Sequence, residues 1–218
     1  MPISPNAVAD LVREIERKDG LTAHHTWRVV LYARAMAESF GLDHARIARI
    51  TVGAALHDLG KIDIPDAILR KPGPLTDEEY EIIKTHAVRG YERLVAMGVD
   101  DALVLEIVRH HHERVDGRGY PDGLSGDAIA LAARQFAVID AFDALTSVRP
   151  YRSDVGPDAA ERALAELEAG VGSRYCADCV AAMKDLYRSG QIGWILGYYN
   201  DACPVPAFSP DAAATTRP

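Results

Sequence analysis

Apolar residues recur every three or four positions along most of this chain, which is the spacing of one buried face of an α-helix. Near the N-terminus this spacing holds for Val8, Leu11, Val12 and Ile15, with Ser4 ahead of them as a cap. No stretch alternates apolar and polar residues at the period of a strand. The pattern therefore predicts an all-α fold, with helices over residues 5–19, 22–40, 44–57, 76–98, 101–112, 130–147, 157–170 and 175–188.

Two segments rich in glycine and proline, residues 61–75 and 113–126, separate these helices and are predicted to be loops. The first loop ends at a capping box, in which Thr76 and Glu79 satisfy each other's backbone N–H groups. The helix that begins there is expected to break near Gly90.

The length of 218 residues suits one substantial core, and we expect a single compact helical domain over residues 1–188. Residues 189–218 are expected to form a tail. Its apolar patch, residues 194–199, either docks on the core or mediates self-association, and the Pro- and Ala-rich end is expected to be disordered.

Composition and charge exclude several classes of protein. A net charge of −8 argues against non-specific binding of a nucleic acid polymer. No apolar run approaches a membrane span and the N-terminus lacks the features of a signal peptide, so we expect a cytoplasmic protein with no membrane insertion. Cys176, Cys179 and Cys203 are too few for a disulfide framework, and Cys176 and Cys179 are interpreted as small residues on a helix face.

Ligand-type side chains stand at the inner ends of several apolar helices, and burying so many ionisable groups is costly unless they pair or bind metal. Any one histidine alone is better explained as solvated or bonded to a backbone carbonyl. Asp140 is harder to explain in this way, because its helix is almost wholly apolar. The candidates are His25, His57, Asp58, His86, His111, His112 and Asp140.

Five imidazoles with two carboxylates favour Fe, Mn, Zn or Co over Mg or Ca, which prefer shells of oxygen alone. They also exceed the four ligands of one tetrahedral zinc ion. The set suits a two-metal site in which one aspartate bridges ions roughly 3.5–4 Å apart.

Several motifs, in this order, resemble those of the HD-GYP domain, the phosphodiesterase branch of the HD phosphohydrolase superfamily. They cover most of the chain up to about residue 188. They are DGLTAHHTWRV at 19–29, HDLGK at 57–61, KPGPLTDEE at 71–79, HHERVDGRGYP at 111–121, AVIDAFDALTS at 137–147 and RPYR at 149–152.

This resemblance implies that the seven candidates are metal ligands, with Asp58 as the bridge, and that the substrate meets Lys61, Tyr120, Arg149 and Arg152. For Arg152 a solvated surface position is an equal alternative. Members of the family that bind three metals have a glutamate four residues before the first histidine, where this chain has Leu21. We therefore expect two divalent transition-metal ions, iron first and manganese as the alternative.

The implied activity is hydrolysis of cyclic di-GMP by a hydroxide held between the two metals, with linear pGpG as the product and further hydrolysis to GMP left open. Asp58 and Lys61 are the expected catalytic residues. Glu113, Asp116 and Asp143 are candidates for orienting the ligand imidazoles.

Two alternatives stay open at this point: an HD phosphohydrolase for another nucleotide such as cyclic GMP-AMP, and a binding or scaffolding module with little turnover. The sequence also leaves open a homodimer or a regulatory protein partner.

Overall fold

The computed structural model of the chain describes residues 3–19, 23–147, 156, 158–199 and 205–216. Within these ranges the protein has eleven α-helices and no strand, which confirms the predicted all-α class. The helices are α1 (Pro5–Asp19), α2 (Ala23–Ser39), α3 (His44–Leu56), α4 (Asp66–Leu69), α5 (Asp77–Ala96), α6 (Ala102–His110), α7 (Leu131–Thr146), α8 (Ala159–Ala169), α9 (Ala177–Arg188), α10 (Gly193–Tyr198) and α11 (Pro210–Thr215). Two 3₁₀ helices lie at Leu59–Asp63 and Gly126–Ala128.

Side-chain caps begin three of the helices. Asp43 accepts a hydrogen bond from the N–H of Arg46 at the start of α3. Thr76 and Glu79 form the predicted capping box at the start of α5. Asp101 accepts from the backbone at the start of α6. These caps satisfy N–H groups that a helix leaves unbonded, and so fix the helix starts locally.

The core is built around α2, which is buried on nearly all sides and packs against α3, α7 and α9. Trp27, Tyr32 and Met36 of α2 are among the largest fully buried side chains, together with Phe136 and Phe142 of α7. Both α2, which carries His25, and α7, which carries Asp140, thus belong to the main core.

The structure differs from the expectation at Gly90, where α5 continues without a break. Gly90 instead gives room for a neighbour, since a Cβ there would lie 3.0 Å from the backbone nitrogen of Gly60. The loop that precedes α5 also contains the short helix α4, which the sequence did not indicate.

In the part of the tail that the structure describes, α10 and α11 are helical and pack on α2. Ser209 caps α11 through the N–H of Ala212, and an alanine-rich run follows, which explains the helix in a segment expected to be disordered. Phe208 is buried on Trp27. The domain boundary at residue 188 stays a prediction.

Cys179 is buried and Cys176 is half-buried, in line with packing roles, whereas Cys203 lies outside the described residues. Among the helices of the described residues, none is both long and apolar enough to cross a bilayer.

Candidate metal centre

Six of the seven candidate ligands form two compact groups, in each of which the donor atoms lie within 4.8 Å of one another. The α2–α3 group contains His25 of α2 with His57 and Asp58, which directly follow α3. The α5–α6 group contains His86 of α5 with His111 and His112, which directly follow α6. The rings of His57 and His111 are 5.3 Å apart, so the two groups adjoin.

Backbone carbonyls orient three of these imidazoles. The Nδ1 atoms of His57 and His86 each lie 2.8 Å from the carbonyl oxygen three residues earlier, and Nδ1 of His111 lies 3.0 Å from the oxygen of Val108. A carbonyl only accepts hydrogen bonds, so each Nδ1 carries a proton, and Nε2 keeps its lone pair wherever the imidazole is neutral.

The two Nε2 atoms of His86 and His111 are 3.2 Å apart. Two unprotonated nitrogens at this distance repel each other unless a cation or a donor lies between them. Nε2 of His25 is also buried, with no hydrogen-bond partner in the described part of the chain. These unpaired nitrogens fit a divalent transition metal, for which neutral imidazole is a preferred ligand.

Asp58 lies between the two groups. Its Oδ2 is 3.1 Å from Nε2 of His57, and its Oδ1 is 3.6 Å from Nε2 of His86. Each carboxylate oxygen therefore faces one group, which is the arrangement that a bridging ligand requires.

Lys61 lies one turn beyond Asp58, and its Nζ is 2.9 Å from Oδ2 of Asp58 and 2.7 Å from Oδ2 of Asp19. Burial alone lowers the pKa of Lys61, but the two carboxylates outweigh burial and raise that pKa. The ammonium group is therefore charged and also orients Asp58. Asp19, at the end of α1, is a partner that no sequence pattern indicates, because it is 42 positions from Lys61.

The ionisation states differ between the groups. Burial raises the pKa of Asp58, but the charges of His57 and Lys61 outweigh it and hold that pKa well below its usual value. Burial lowers the pKa of His57, yet Asp58 outweighs burial and raises it. In the α5–α6 group burial prevails: it lowers the pKa of His86 and His111, and that of His112 to about 3.

Two aspartates of α7 have opposite environments, and the full burial expected of Asp140 is found at Asp143 instead. Asp140 is half-buried and lines the central cavity, where its charge acts on His57 and His112. Asp143 is fully buried. Its Oδ2 is 2.8 Å from Nδ1 of His25, and its Oδ1 accepts a hydrogen bond of 2.5 Å from Nε of Arg28. Asp143 therefore orients an imidazole, as expected.

The loop 113–126 packs back on the histidine pair. A Cβ at Gly119 would lie 2.4–2.6 Å from backbone atoms of residues 112–114, so only glycine fits there. Tyr120 stacks on His112 with ring centroids 4.7 Å apart and an interplanar angle of 29°. The loop thus fixes the histidines and also lines the cavity.

Glu113 and Asp116 do not orient imidazoles, contrary to the expectation. Oε1 of Glu113 accepts from the backbone N–H groups of Asp122 and Gly123, because the chain reverses around it. Asp116 accepts two hydrogen bonds from the guanidinium group of Arg114, at 3.0 and 2.6 Å. Both carboxylates stabilise the loop.

The cavity at this site has a volume of about 540 Å³, which is the size of a pocket for a small ligand. Besides the ligand candidates, its walls include Lys61 and Tyr120. The cavity is also lined by three residues that the sequence did not indicate as site residues: Arg114, Arg174 and Tyr175. Arg149 and Arg152 lie outside the described residues.

Comparisons with known proteins find similar sequences. Residues 11–178 match the HD domain family, whose members bind divalent metal ions. The cyclic di-GMP phosphodiesterase response regulator RpfG of Xanthomonas campestris pv. campestris is 42% identical over 203 residues, which are 90% of this chain and 51% of that protein. The 3'3'-cGAMP-specific phosphodiesterase 3 of Vibrio cholerae is 35% identical over 170 residues, 78% of this chain and 36% of that protein.

A solved structure shows the same fold. The HD domain of the Listeria monocytogenes phosphodiesterase PgpH, in complex with cyclic di-AMP, superposes with a TM-score of 0.59 at 18% identity, covering 90% of this chain and all of that one. The chain spans about half of the length of RpfG and a smaller share of the Vibrio cholerae relative.

Proposed function

The chain belongs to the HD domain family, and from this premise we propose that it is a metal-dependent phosphodiesterase. We propose cyclic di-GMP as the substrate and linear pGpG as the first product. The observation that carries this proposal is the convergence of unprotonated imidazole nitrogens and Asp58 on one cavity large enough for a small ligand. RpfG, which is 42% identical to this chain, is named as a cyclic di-GMP phosphodiesterase.

We assign the metal ligands as the α2–α3 group, the α5–α6 group and Asp140. Asp58 faces both groups and would be shared, so the set suits two ions, iron or manganese. When bound, such ions lower the pKa of a water molecule and neutralise charge on a phosphate.

The chain's own side chains would bind and orient the substrate. Lys61 places a positive charge at the cavity wall beside Asp58, where it attracts a phosphodiester and keeps Asp58 ionised. Tyr120 offers an aromatic edge and a hydroxyl whose pKa burial raises, so the hydroxyl stays protonated and donates a hydrogen bond. By the family resemblance, Arg149 and Arg152 would add guanidinium contacts to the phosphates.

The test is anaerobic purification of the full chain with metal analysis, followed by a chromatographic assay on cyclic di-GMP and cyclic GMP-AMP side by side. We expect two metal equivalents per chain, with cyclic di-GMP hydrolysed faster. The matched control is Asp58→Asn, which keeps the size of the side chain but removes its charge. Equal turnover by this variant would contradict the assigned site.

Cyclic GMP-AMP is the second candidate substrate, because a relative 35% identical to this chain is named for it. Faster hydrolysis of cyclic GMP-AMP in the same assay would replace the first choice. A metal-loaded protein that hydrolyses neither would favour the binding or scaffolding role.

A further inference from the structure

A buried series of polar contacts begins at Nδ1 of His25, the ring nitrogen on the side away from the candidate metal site. Its Nδ1 lies 2.8 Å from Oδ2 of Asp143, and both side chains are almost fully buried. The opposite nitrogen, Nε2, is the one without a partner in the described residues and faces His57 and Asp58. The orientation of Asp143 therefore decides where Nε2 of His25 points.

Arg28 in turn holds Asp143. Its Nε donates to Oδ1 at 2.5 Å and its Nη2 to Oδ2 at 3.4 Å. The remaining nitrogen, Nη1, donates to the backbone carbonyl of Tyr199 at 2.7 Å. A guanidinium group is planar, so the carbonyl that binds one edge also fixes the plane of the edge that binds Asp143.

Tyr199 belongs to the C-terminal segment, by which we mean residues 193–199 and 205–216. The ring of Trp27 lies between Tyr199, stacked at 5.3 Å, and Phe208, edge-on at 5.3 Å. Nε1 of Trp27 donates to the carbonyl of Pro206 at 2.9 Å. Further along α2, Arg34 donates to the carbonyl of Ala213 at 3.1 Å.

The C-terminal segment thus contacts the residues of α2 that immediately follow His25. We propose that this segment is a brace for the metal centre, which sets the metal affinity of His25 through Arg28 and Asp143. This inference rests on the proposed role of His25 as a ligand. It makes Arg28 a positioning residue, since Arg28 acts on the metal only through Asp143 and His25.

The test compares variants of the full chain, stripped of metal and titrated with Co(II), whose visible absorbance reports imidazole coordination. The wild type is expected to bind two equivalents. Phe208→Ala loosens the segment without touching the site, and we expect it to weaken one equivalent by about 10-fold and leave the other unchanged. Arg28→Lys keeps a positive charge beside Asp143 but cannot bind Asp143 and the Tyr199 carbonyl together, so it should have the same selective effect.

Two controls separate positioning from loss of stability. Asp211→Ala removes an exposed side chain of the same segment, and should leave both affinities unchanged. Leu167→Ala removes a fully buried side chain of α8 and should lower the melting temperature without selective loss of one cobalt ion.

The inference is overturned if Phe208→Ala and Arg28→Lys bind both cobalt ions like the wild type. It is also overturned if Phe208→Ala and Leu167→Ala weaken both ions alike. A wild type that binds no cobalt would instead contradict the proposed ligand set, and the inference with it.

Discussion

The two groups of ligand candidates reach similar burial by different means. The α2–α3 group contains a carboxylate, and charged partners surround it: Arg28 behind Asp143, and Lys61 beside Asp58. The α5–α6 group contains only imidazoles, and backbone carbonyls of their own helices orient His86 and His111. Ion pairs therefore stabilise the α2–α3 group in addition to the helix carbonyl that orients His57, whereas the α5–α6 group depends on local helix geometry.

Because of this difference, we expect the two groups to contribute differently to metal binding. Ion pairs keep carboxylates charged in a buried place, which supplies negative charge to a metal. Burial without a counter-charge keeps imidazoles neutral, which supplies lone pairs. Asp58 is part of the α2–α3 group, but its carboxylate faces both groups. Substitutions can test the role of each group.

The largest effect is expected from Asp58→Ala, because that side chain faces both groups. We expect metal content to fall below one equivalent and hydrolysis of cyclic di-GMP to fall by at least about 10³-fold. Metal analysis and the chromatographic assay measure both quantities. Retention of two metals would mean that the groups do not share this ligand.

Single substitutions in each group should be more selective. His25→Ala and His111→Ala are each expected to remove about one metal equivalent and to reduce hydrolysis by about 100-fold. His44→Ala, at the exposed start of α3, serves as a control that should change neither. Loss of both metals from either variant would show that the groups bind as one unit.

Gly60→Ala tests the backbone contact that joins the groups. A Cβ there would lie 1.9 Å from the carbonyl oxygen of His86, so the 3₁₀ helix at 59–63 must move away from α5. We expect the free energy of unfolding to fall by about 3 kcal/mol in urea titrations. Gly193→Ala meets nothing within 4 Å and should change stability little. Equal stability of the two variants would contradict the tight contact.

A separate effect concerns the pH dependence of stability in the metal-free protein. Burial lowers the pKa of His112 to about 3 and also lowers those of His86 and His111, so these groups bind protons mainly when the chain is unfolded. Stability should be full above about pH 6.5 and should fall as pH drops below it, by up to about 1.4 kcal/mol per pH unit for each histidine. Urea unfolding at pH 7 and pH 5 with a chelator measures this.

His57 acts in the opposite direction, because its pKa is raised in the folded protein and its contribution is lost as pH rises. A net gain in stability on acidification would show that the α2–α3 group dominates. His112→Gln should reduce the loss on acidification, since one of the neutral histidines is removed.

The helices could be predicted from the sequence because their signals are local. Apolar spacing and the caps at Asp43, Thr76 and Asp101 depend on residues within one or two turns. The candidate ligands were found because histidines and aspartates at the ends of apolar helices are unusual. Their roles as ligands stay predictions.

The contacts that support the site could not be predicted in the same way. Arg28 and Asp143 are 115 positions apart, and no local pattern joins them. Asp140 and Asp143 stand in the same apolar helix, and only the packing of α7 against α2 determines which carboxylate meets Arg28. The low helix propensity of glycine suggested a break in α5 at Gly90. In the structure, the missing side chain of Gly90 instead lets the backbone of Gly60 pack closely against α5.

Gly119 has a consequence for how this protein tolerates change. Because its missing side chain is what lets the loop lie against the backbone of residues 112–114, a saturation library at this codon should return glycine alone among active clones. The neighbouring Arg118 is exposed and should accept most residues. Evolutionary freedom in this loop is therefore expected to alternate sharply between adjacent positions.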